Sequence, residues 1–211
     1  AKEIRNLFGK DVFEFPKPTI LLKTLIRTGS YENDIVLDFF SGSCSTVQAL
    51  FELNIEMKIN RKFIMVQLPE LCKDNSEAQR LGYQYICQVA IERIKKAGQK
   101  IKSEHPDADI DIGFKVFRTA DTNIKWNSLM DLGQVNMSQL EYTPDLIDFM
   151  PGAKDVDIVY ELMLRQRDVA LSETLEQLSD IGSRTYLYAS SYLVCLETEI
   201  TEELVSKLAE L

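Results

Sequence analysis

The residues best suited to chemistry stand in the stretch LDFFSGSCST, residues 37 to 46. Asp38 ends a run of apolar residues, and a bend containing Gly42 and small hydroxyl residues follows it. The run DIVLDFF predicts a buried parallel strand, and TVQALFELN has its apolar residues at helical spacing. A tight loop between strand and helix directs backbone N–H groups and the positive helix end at a ligand beyond the strand.

The segments around this stretch alternate between helix and strand. KPTILLKTLIRTG predicts a helix from about Pro18 to Arg27 that stops at Gly29. NRKFIMVQL predicts a second buried strand, residues 76–97 predict one long amphipathic helix, and IGFKVFRT predicts a third strand nearer an edge. This order is typical of a mostly parallel α/β sheet.

The rest of the chain has a different character. Residues 119–155 contain turn formers and few apolar runs, which predicts a linker or irregular excursion. From Val156 onward we expect a helix, VDIVYELMLRQ, two short strands in RTYLYAS and SYLVCLE, and a closing helix, TEELVSKLAEL, capped by Thr201. The sequence therefore predicts an α/β region over 1–118 and a small α+β lobe over 156–211.

Composition narrows the class of protein. The 211 residues carry a formal net charge of −9, so the chain as a whole is not an electrostatic binder of nucleic acid. No apolar run approaches the roughly 20 residues that cross a bilayer, and a soluble cytoplasmic protein is expected. Within ERIKKAGQKIK the basic residues predict a solvated helix face, with a phosphate contact as the alternative: Arg93, Lys95, Lys96, Lys100 and Lys102.

The cysteines and the histidine offer little metal or nucleophile chemistry. The four cysteines lie far apart without a CxxC pair, which does not favour zinc and predicts free thiols. His105, the only histidine, lies in the polar turn KSEHPDAD, and we interpret it as a solvated loop residue. A Cys44–His105 nucleophilic pair is the less favoured interpretation.

An acid at the end of the first strand, followed by a bend of small residues, is how several α/β folds hold an adenosyl cofactor. A dinucleotide site needs GxGxxG and a triphosphate site needs GxxxxGK[ST], and neither motif is in the sequence. A nicotinamide-dependent oxidoreductase is therefore a disfavoured alternative.

The sequence resembles a known family over nearly its whole length. FPKPTILLKTLI followed by DIVLDFFSGSCSTVQALFELN resembles motif X followed by motif I of the β class of amino-methylating DNA methyltransferases. NRKFIMVQLPE, IERIKKAGQKI, DIGFKVFRTADTNIKW, DIVYELMLRQ and SYLVCLETEI are similar to the modification subunits of type III restriction-modification systems. The resemblance implies a Rossmann-like, S-adenosylmethionine-dependent methyltransferase sheet in residues 1–118.

The resemblance also implies which residues hold S-adenosylmethionine. They belong to motif X, to motif I and to the end of the second strand: Phe15, Pro16, Lys17, Pro18, Asp38, Phe40, Gly42, Ser43, Cys44, Thr46 and Gln67. Asp38 can accept a hydrogen bond from the cofactor's amino group, and Gln67 can offer a donor and an acceptor to the ribose diol. Phe15 and Phe40 either wall the adenine or fill core, whereas Phe39 is predicted to be core. Gln67 is otherwise a strand-end polar residue, with Glu70 as the alternative ligand.

Two features depart from the family pattern. Cys44 replaces the second loop glycine, where the methionine end of the cofactor is expected to pass, and a need for positive φ there would lower affinity. The catalytic tetrad, an Asp or Asn followed by two prolines and an aromatic residue, is missing, since the sequence has no adjacent prolines.

In the β class the catalytic half and the target-recognition region precede motif X, so the resemblance implies the C-terminal portion of a longer subunit. A start at Ala1 without an initiator methionine agrees with this expectation. The implied intact enzyme methylates the N6 nitrogen of adenine in DNA, and its implied partners are DNA, a restriction subunit and a second copy of itself. The alternative is a dimerisation or restriction-subunit docking module whose cofactor site is degenerate.

Overall fold

The computed structural model describes residues 2–125 and 148–210. They fall into two compact units, Ala1–Gly113 and Phe114–Leu211. Most of the predicted excursion over 119–155 lies outside the described residues, and the division of the chain near residue 118 stays a prediction. Among the described helices, none is both long enough and apolar enough to span a membrane.

The first unit has an α/β order built around two parallel strands. Its elements are α1 (Lys2–Phe8), α2 (Thr19–Gly29), β1 (Ile35–Asp38), α3 (Ser45–Met57), β2 (Lys62–Met65), α4 (Glu77–Arg80) and α5 (Ile86–Glu104). Strands β1 and β2 pair in parallel, with Ile35 opposite Lys62 and Asp38 opposite Met65. The coarse prediction of a mixed, parallel-sheet α/β arrangement is compatible with this order.

Helix α3 is the most deeply buried element of this unit. It packs between α2 and α5, and Val47, Ala49, Leu50 and Leu53 are completely buried. A helix that is apolar on several sides must be covered on several sides. It therefore fixes the helix layer on which the strands rest.

The two strands are half-buried on one face and exposed on the other, which corrects the prediction that both are buried. Phe63 of β2 packs edge-on against Phe51 of α3, with ring centroids 5.9 Å apart. Side chains alternate between the faces of a sheet, so the neighbouring residues point the other way. Ile35, Leu37 and Ile64 are each more than half exposed, because no described element of this unit covers their face.

The long helix predicted over residues 76–97 is two helices. Helix α4 ends at Arg80. Gly82, two residues on, has a φ of +90° that glycine adopts easily, and it closes a capping turn in which the Tyr83 N–H donates to the Ala78 carbonyl. Before α5 begins, Tyr85 forms an isolated antiparallel β-bridge with Leu71. Amphipathic spacing continues through the break, so periodicity alone could not reveal it.

The third strand predicted in IGFKVFRT does not form, and residues 112–119 are irregular. A strand needs a hydrogen-bonding neighbour, and within the described residues the parallel sheet contains β1 and β2 alone. Ile112 instead packs on α5, so closely that a Cβ on Gly98 would come within 3.1 Å of the Ile112 Cβ.

The second unit is a small α+β arrangement. It contains α6 (Asp155–Gln166), β3 (Leu175–Gln177), β4 (Thr185–Tyr188), β5 (Tyr192–Cys195) and α7 (Glu202–Ala209). The three strands form an antiparallel sheet in the order β3-β4-β5. The helix over VDIVYELMLRQ, the two later strands and the closing helix are confirmed, and Thr201 caps α7 by accepting the Leu204 N–H. Strand β3 was not predicted.

The core of the second unit lies between α6 and its sheet. Val159, Met163, Tyr186, Tyr188 and Val194 form this cluster. At its edge the Arg184 guanidinium donates to both carboxylate oxygens of Asp155, at 2.8 and 2.7 Å, and this pairing lowers the pKa of Asp155. A bidentate ion pair that is partly buried fixes the start of α6 against β4.

Candidate functional site

The site begins where the two parallel strands end. Asp38 is the last residue of β1, and its two carboxylate oxygens have different partners. Oδ1 accepts the Phe40 N–H at 3.2 Å, and Oδ2 accepts the Thr46 hydroxyl at 2.6 Å. One carboxylate therefore joins the end of the strand to the first turn of α3 and still has lone pairs for a ligand.

Gln67, just beyond β2, closes the same loop from the neighbouring strand. Its Oε1 accepts the Gly42 N–H at 2.7 Å, and its Nε2 donates to the Leu68 carbonyl at 3.2 Å. The second Nε2 proton and the second Oε1 lone pair remain, which is the donor and acceptor pair that a diol requires. Asp38, Gly42 and Gln67 are thus brought together at the carboxyl ends of β1 and β2.

The loop between β1 and α3, residues 39–44, is called the strand-end loop below. Two of its residues have left-handed backbone, Gly42 at φ +51° and Cys44 at φ +55°. Cys44, which stands where the family pattern has its second loop glycine, therefore does have a positive φ. The Cys44 side chain is buried rather than open to solvent, and burial raises the pKa of its thiol to about 11.

The strained backbone at Cys44 leads to a stability prediction. Cys44→Val is expected to lower the free energy of unfolding by about 1–3 kcal/mol, because a β-branched residue fits left-handed backbone poorly. In Cys44→Gly, relief of about 1–2 kcal/mol of strain is offset by loss of a buried side chain, so little net change is expected. Urea denaturation measures both. The control Cys87→Val, on helical backbone in α5, should cost under about 1 kcal/mol, and an equal cost at both positions would contradict the prediction.

Arg93 of α5 is the site residue that the sequence analysis missed. It was assigned to a solvated basic face, but it is completely buried. Its Nη1 donates to the hydroxyls of Ser43 and Ser45 at 2.9 and 2.6 Å, and its Nε and Nη2 donate to Oε1 of Gln48 at 3.0 and 2.9 Å. Lys95, two residues on, is exposed as expected. Helical spacing could have separated the two bases, because Arg93 lies four residues from both Val89 and Ala97 on the apolar face, whereas Lys95 lies on the other side of the helix.

The motif X residues lie in the segment that leads into α2. Pro18 is the N-cap of α2, and Phe15 is 83% exposed, so Phe15 does not fill core. Lys17 is also exposed, and Pro16 is half-buried. Phe13, which was not predicted, lies closest to the strand-end loop, since a Cβ on Gly42 would be 3.6 Å from its Cζ.

The aromatic residues after Asp38 point outward. Phe40 is 80% exposed, which excludes its core alternative, and Phe39 is 61% exposed, so its prediction as core is wrong. The strand ends at Asp38, so both rings lie beyond the paired part of the sheet. Their centroids are 5.0 Å apart, and they form a small aromatic surface at the start of the strand-end loop.

The remaining candidates do not assemble. His105 is the exposed C-cap residue of α5, whereas Cys44 is buried at the start of α3. All four cysteines are free thiols. Glu70, the alternative to Gln67, is exposed.

The site consists of a strand, a short loop with left-handed residues and a buried helix, with polar groups gathered at the carboxyl ends of parallel strands. In open α/β sheets this is the place where ligands commonly bind. Comparison with known families agrees with a ligand-binding α/β site, because residues 2–93 match the family model of DNA methylase. The similarity therefore covers α1 through the first part of α5, including the strand-end loop and Arg93.

Individual relatives narrow the comparison. The chain is 40% identical over 119 residues to the type III restriction-modification enzyme StyLTI Mod subunit of Salmonella typhimurium, and 37% identical over 119 residues to the EcoPI Mod subunit of Escherichia phage P1. Each match covers 56% of this chain and 18% of the relative. A type II methyltransferase, M.KpnI of Klebsiella pneumoniae, is 29% identical over 94 residues, 44% of this chain and 22% of the relative. These matches confirm the resemblance to type III modification subunits over 56% of the chain, and the resemblance of the rest stays a prediction.

Proposed function

We propose that this chain is the cofactor-binding part of a DNA adenine N6 methyltransferase, the modification subunit of a type III restriction-modification system. The observation that carries the proposal is the convergence of Asp38, Gly42 and Gln67 at the carboxyl ends of β1 and β2. The similarity to named Mod subunits supports the same assignment. Strands β1 and β2, which pair in parallel and are connected through α3, are proposed to be part of a Rossmann-like sheet.

The available hydrogen-bonding groups fit S-adenosylmethionine, which supplies the methyl group when bound. Asp38 is proposed to accept from the cofactor's amino group, and Gln67 to hold the ribose hydroxyls with its unused donor and acceptor. The exposed rings of Phe15 and Phe40 are proposed to wall the adenine, since large aromatic faces left in solvent gain by stacking. The remaining pocket positions are proposed from the motifs alone: Pro16, Lys17, Pro18, Ser43, Cys44 and Thr46.

The intact subunit is proposed to act on DNA, to assemble with a restriction subunit and with a second copy of itself, and to work in the cytoplasm. The net charge of −9 gives this part of the molecule no general affinity for phosphates. The DNA contacts are therefore proposed to come mainly from other parts of the subunit.

Calorimetry with the 211-residue chain tests the cofactor assignment. We expect S-adenosylmethionine and S-adenosylhomocysteine to bind and NAD not to bind. Asp38→Asn should weaken both adenosyl ligands by about 10- to 100-fold, as expected for a hydrogen bond to a charged group. Asn keeps the shape of the side chain and can still accept from the Phe40 N–H.

Asp34→Asn is the matched control, because Asp34 lies just before the other end of β1 and accepts the Tyr31 N–H. Its affinity for S-adenosylmethionine should equal that of the unchanged chain. Binding of NAD, absence of adenosyl binding, or equal effects of the two substitutions would each contradict the proposal.

A second candidate function, a dimerisation or restriction-subunit docking module, is favoured by one observation. The face of the sheet that carries Ile35, Leu37 and Ile64 is apolar and exposed. If the chain binds no adenosyl ligand but forms a stable dimer by light scattering, this second function replaces the first. A monomer that binds S-adenosylmethionine excludes it as the main function.

A further inference from the structure

Arg93 presents an unusual combination of burial and partners. Its side chain is completely buried, yet every hydrogen-bond acceptor it reaches is a neutral oxygen, from Ser43, Ser45 or Gln48. A buried guanidinium is costly unless its charge is compensated. Glu3 and Glu52 influence it only through space, and burial lowers the pKa of Arg93. The positive charge beneath the strand-end loop therefore has no carboxylate bonded to it in the described residues.

The geometry of these bonds ties the loop to α5. Ser43 and Ser45 flank Cys44, and one nitrogen of Arg93 donates to both hydroxyls, at 2.9 and 2.6 Å. Cys44 itself has left-handed backbone and provides no side-chain cap for α3. A non-glycine residue holds this conformation only where its surroundings enforce it. The two hydrogen bonds from Arg93 provide that constraint, although Arg93 lies 50 and 48 positions from Ser43 and Ser45 in the sequence.

The charge also lies at a place where the helix is already positive. The first N–H groups of a helix lack partners within it and give its N-terminus a partial positive charge. Arg93 adds a full charge under the start of α3. An anionic group bound over the strand-end loop would gain from both, and water-excluding surroundings increase that gain.

We propose that Arg93 is a positioning residue of the cofactor site: it holds the strand-end loop in its left-handed form, and its charge favours a ligand whose carboxylate lies over that loop. This inference rests on the proposed function, under which the carboxylate is that of the methionine end of the cofactor. Arg93 acts through Ser43, Ser45 and Gln48 and does not itself contact the ligand.

The first arm of the test measures the loop without any ligand. Arg93→Gln, in the full 211-residue chain, should increase the alkylation rate of Cys44, compared per thiolate, by about tenfold or more, the change expected when charge-assisted hydrogen bonds are lost. The comparison is made per thiolate because burial raises the pKa of Cys44 and the Arg93 charge partly offsets this, so removal of the charge alone would slow the reaction. Mass spectrometry follows Cys72 in the same sample, which should not change. Lys95→Gln, which removes an exposed charge from the same helix, is the control. Wild-type alkylation of Cys44 in Arg93→Gln would overturn the positioning role.

The second arm measures selectivity for the carboxylate. S-adenosylhomocysteine and 5′-methylthioadenosine share the adenosine, but only the first carries the amino-acid end. Arg93→Gln should weaken S-adenosylhomocysteine by about tenfold or more while 5′-methylthioadenosine changes less than about twofold. Arg93→Lys, which keeps the charge but has a single nitrogen that cannot also make the paired bonds to Gln48, should give intermediate values in both arms. Equal weakening of the two ligands by Arg93→Gln would overturn the charge role.

Failure of the proposed function has a separate signature. If the unchanged chain binds neither ligand, the cofactor assignment and the carboxylate role are overturned together, while the alkylation arm still decides whether Arg93 holds the loop. If Arg93→Gln does not fold, Ser43→Ala removes one of the two hydroxyl bonds and should also accelerate Cys44 alkylation. An unchanged rate in that variant would overturn the proposal.

Discussion

The 211-residue chain alone is expected to transfer no methyl group to DNA, even when it holds S-adenosylmethionine. Transfer to an amine requires its lone pair to be aligned with the sulfonium methyl, and such positioning accounts for a large part of catalysis. The sequence has no adjacent prolines and so lacks the tetrad that the resemblance assigns to this task. The net charge of −9 also opposes binding of the phosphate backbone.

The assay for this prediction uses labelled S-adenosylmethionine and mixed-sequence DNA. Label incorporated by the chain should equal that of its Asp38→Asn variant, which serves as the background. A parallel reaction supplemented with the N-terminal half of a modification subunit tests whether the missing groups can be supplied separately. Incorporation by the chain alone, clearly above the Asp38→Asn background, would show that the chemistry has been misassigned.

In the second unit the largest expected effect comes from Tyr188. Its side chain is completely buried, its ring meets the Tyr160 ring edge-on at 5.8 Å, and its hydroxyl donates to the Ala170 carbonyl at 2.7 Å. Tyr188→Ala is therefore expected to lower the free energy of unfolding of this unit by about 3–5 kcal/mol. The loss combines the transfer free energy of the buried ring, which the substitution removes, with the cost of the cavity left beside α6.

Tyr188→Phe separates the ring from the hydroxyl. It retains the packing and removes one hydrogen bond, so a loss of about 1 kcal/mol is expected. Hydrogen exchange followed by mass spectrometry measures both variants, because peptides from residues 155–195 report on the second unit and peptides from residues 45–57 provide an internal reference. Equal losses in the two variants would show that packing of the ring contributes little.

The elements with their own local signals could be predicted from the sequence. Helix α2 follows a proline at its N-cap, and α7 follows Thr201, whose hydroxyl accepts the Leu204 N–H. These devices act within a few residues, so they are visible in the sequence. The break at Gly82 was missed because the apolar spacing continues through it, although a glycine with a local capping turn is itself a helix stop signal.

In the candidate site, too, some residues could be predicted from local sequence and others depend on distant contacts. Asp38 and Gly42 follow from the loop pattern, and their contacts lie within a few residues or on the adjacent strand. The spacing of Arg93 from Val89 and Ala97 places it on the apolar face of its helix. Its partners Ser43 and Ser45 could not be predicted, because they are far away in the sequence. The exposure of Ile35 and Leu37 could not be predicted either. Apolar residues tend to be buried, but their types do not show whether another element packs against them.

Helix α1 bears on where the cofactor-binding module can be separated from a longer polypeptide. Glu3 accepts the backbone N–H of Thr19 at 3.1 Å and its hydroxyl at 2.9 Å, so an acid from α1 caps the first turn of α2. Ile4, completely buried, packs in one cluster with Val12, Ala78 and Val89. The shortest segment that can carry this site into another polypeptide therefore has to begin before FPKP, residues 15–18, and include α1. A gene fusion or domain exchange that starts at those prolines would leave α2 uncapped and open the core beneath it.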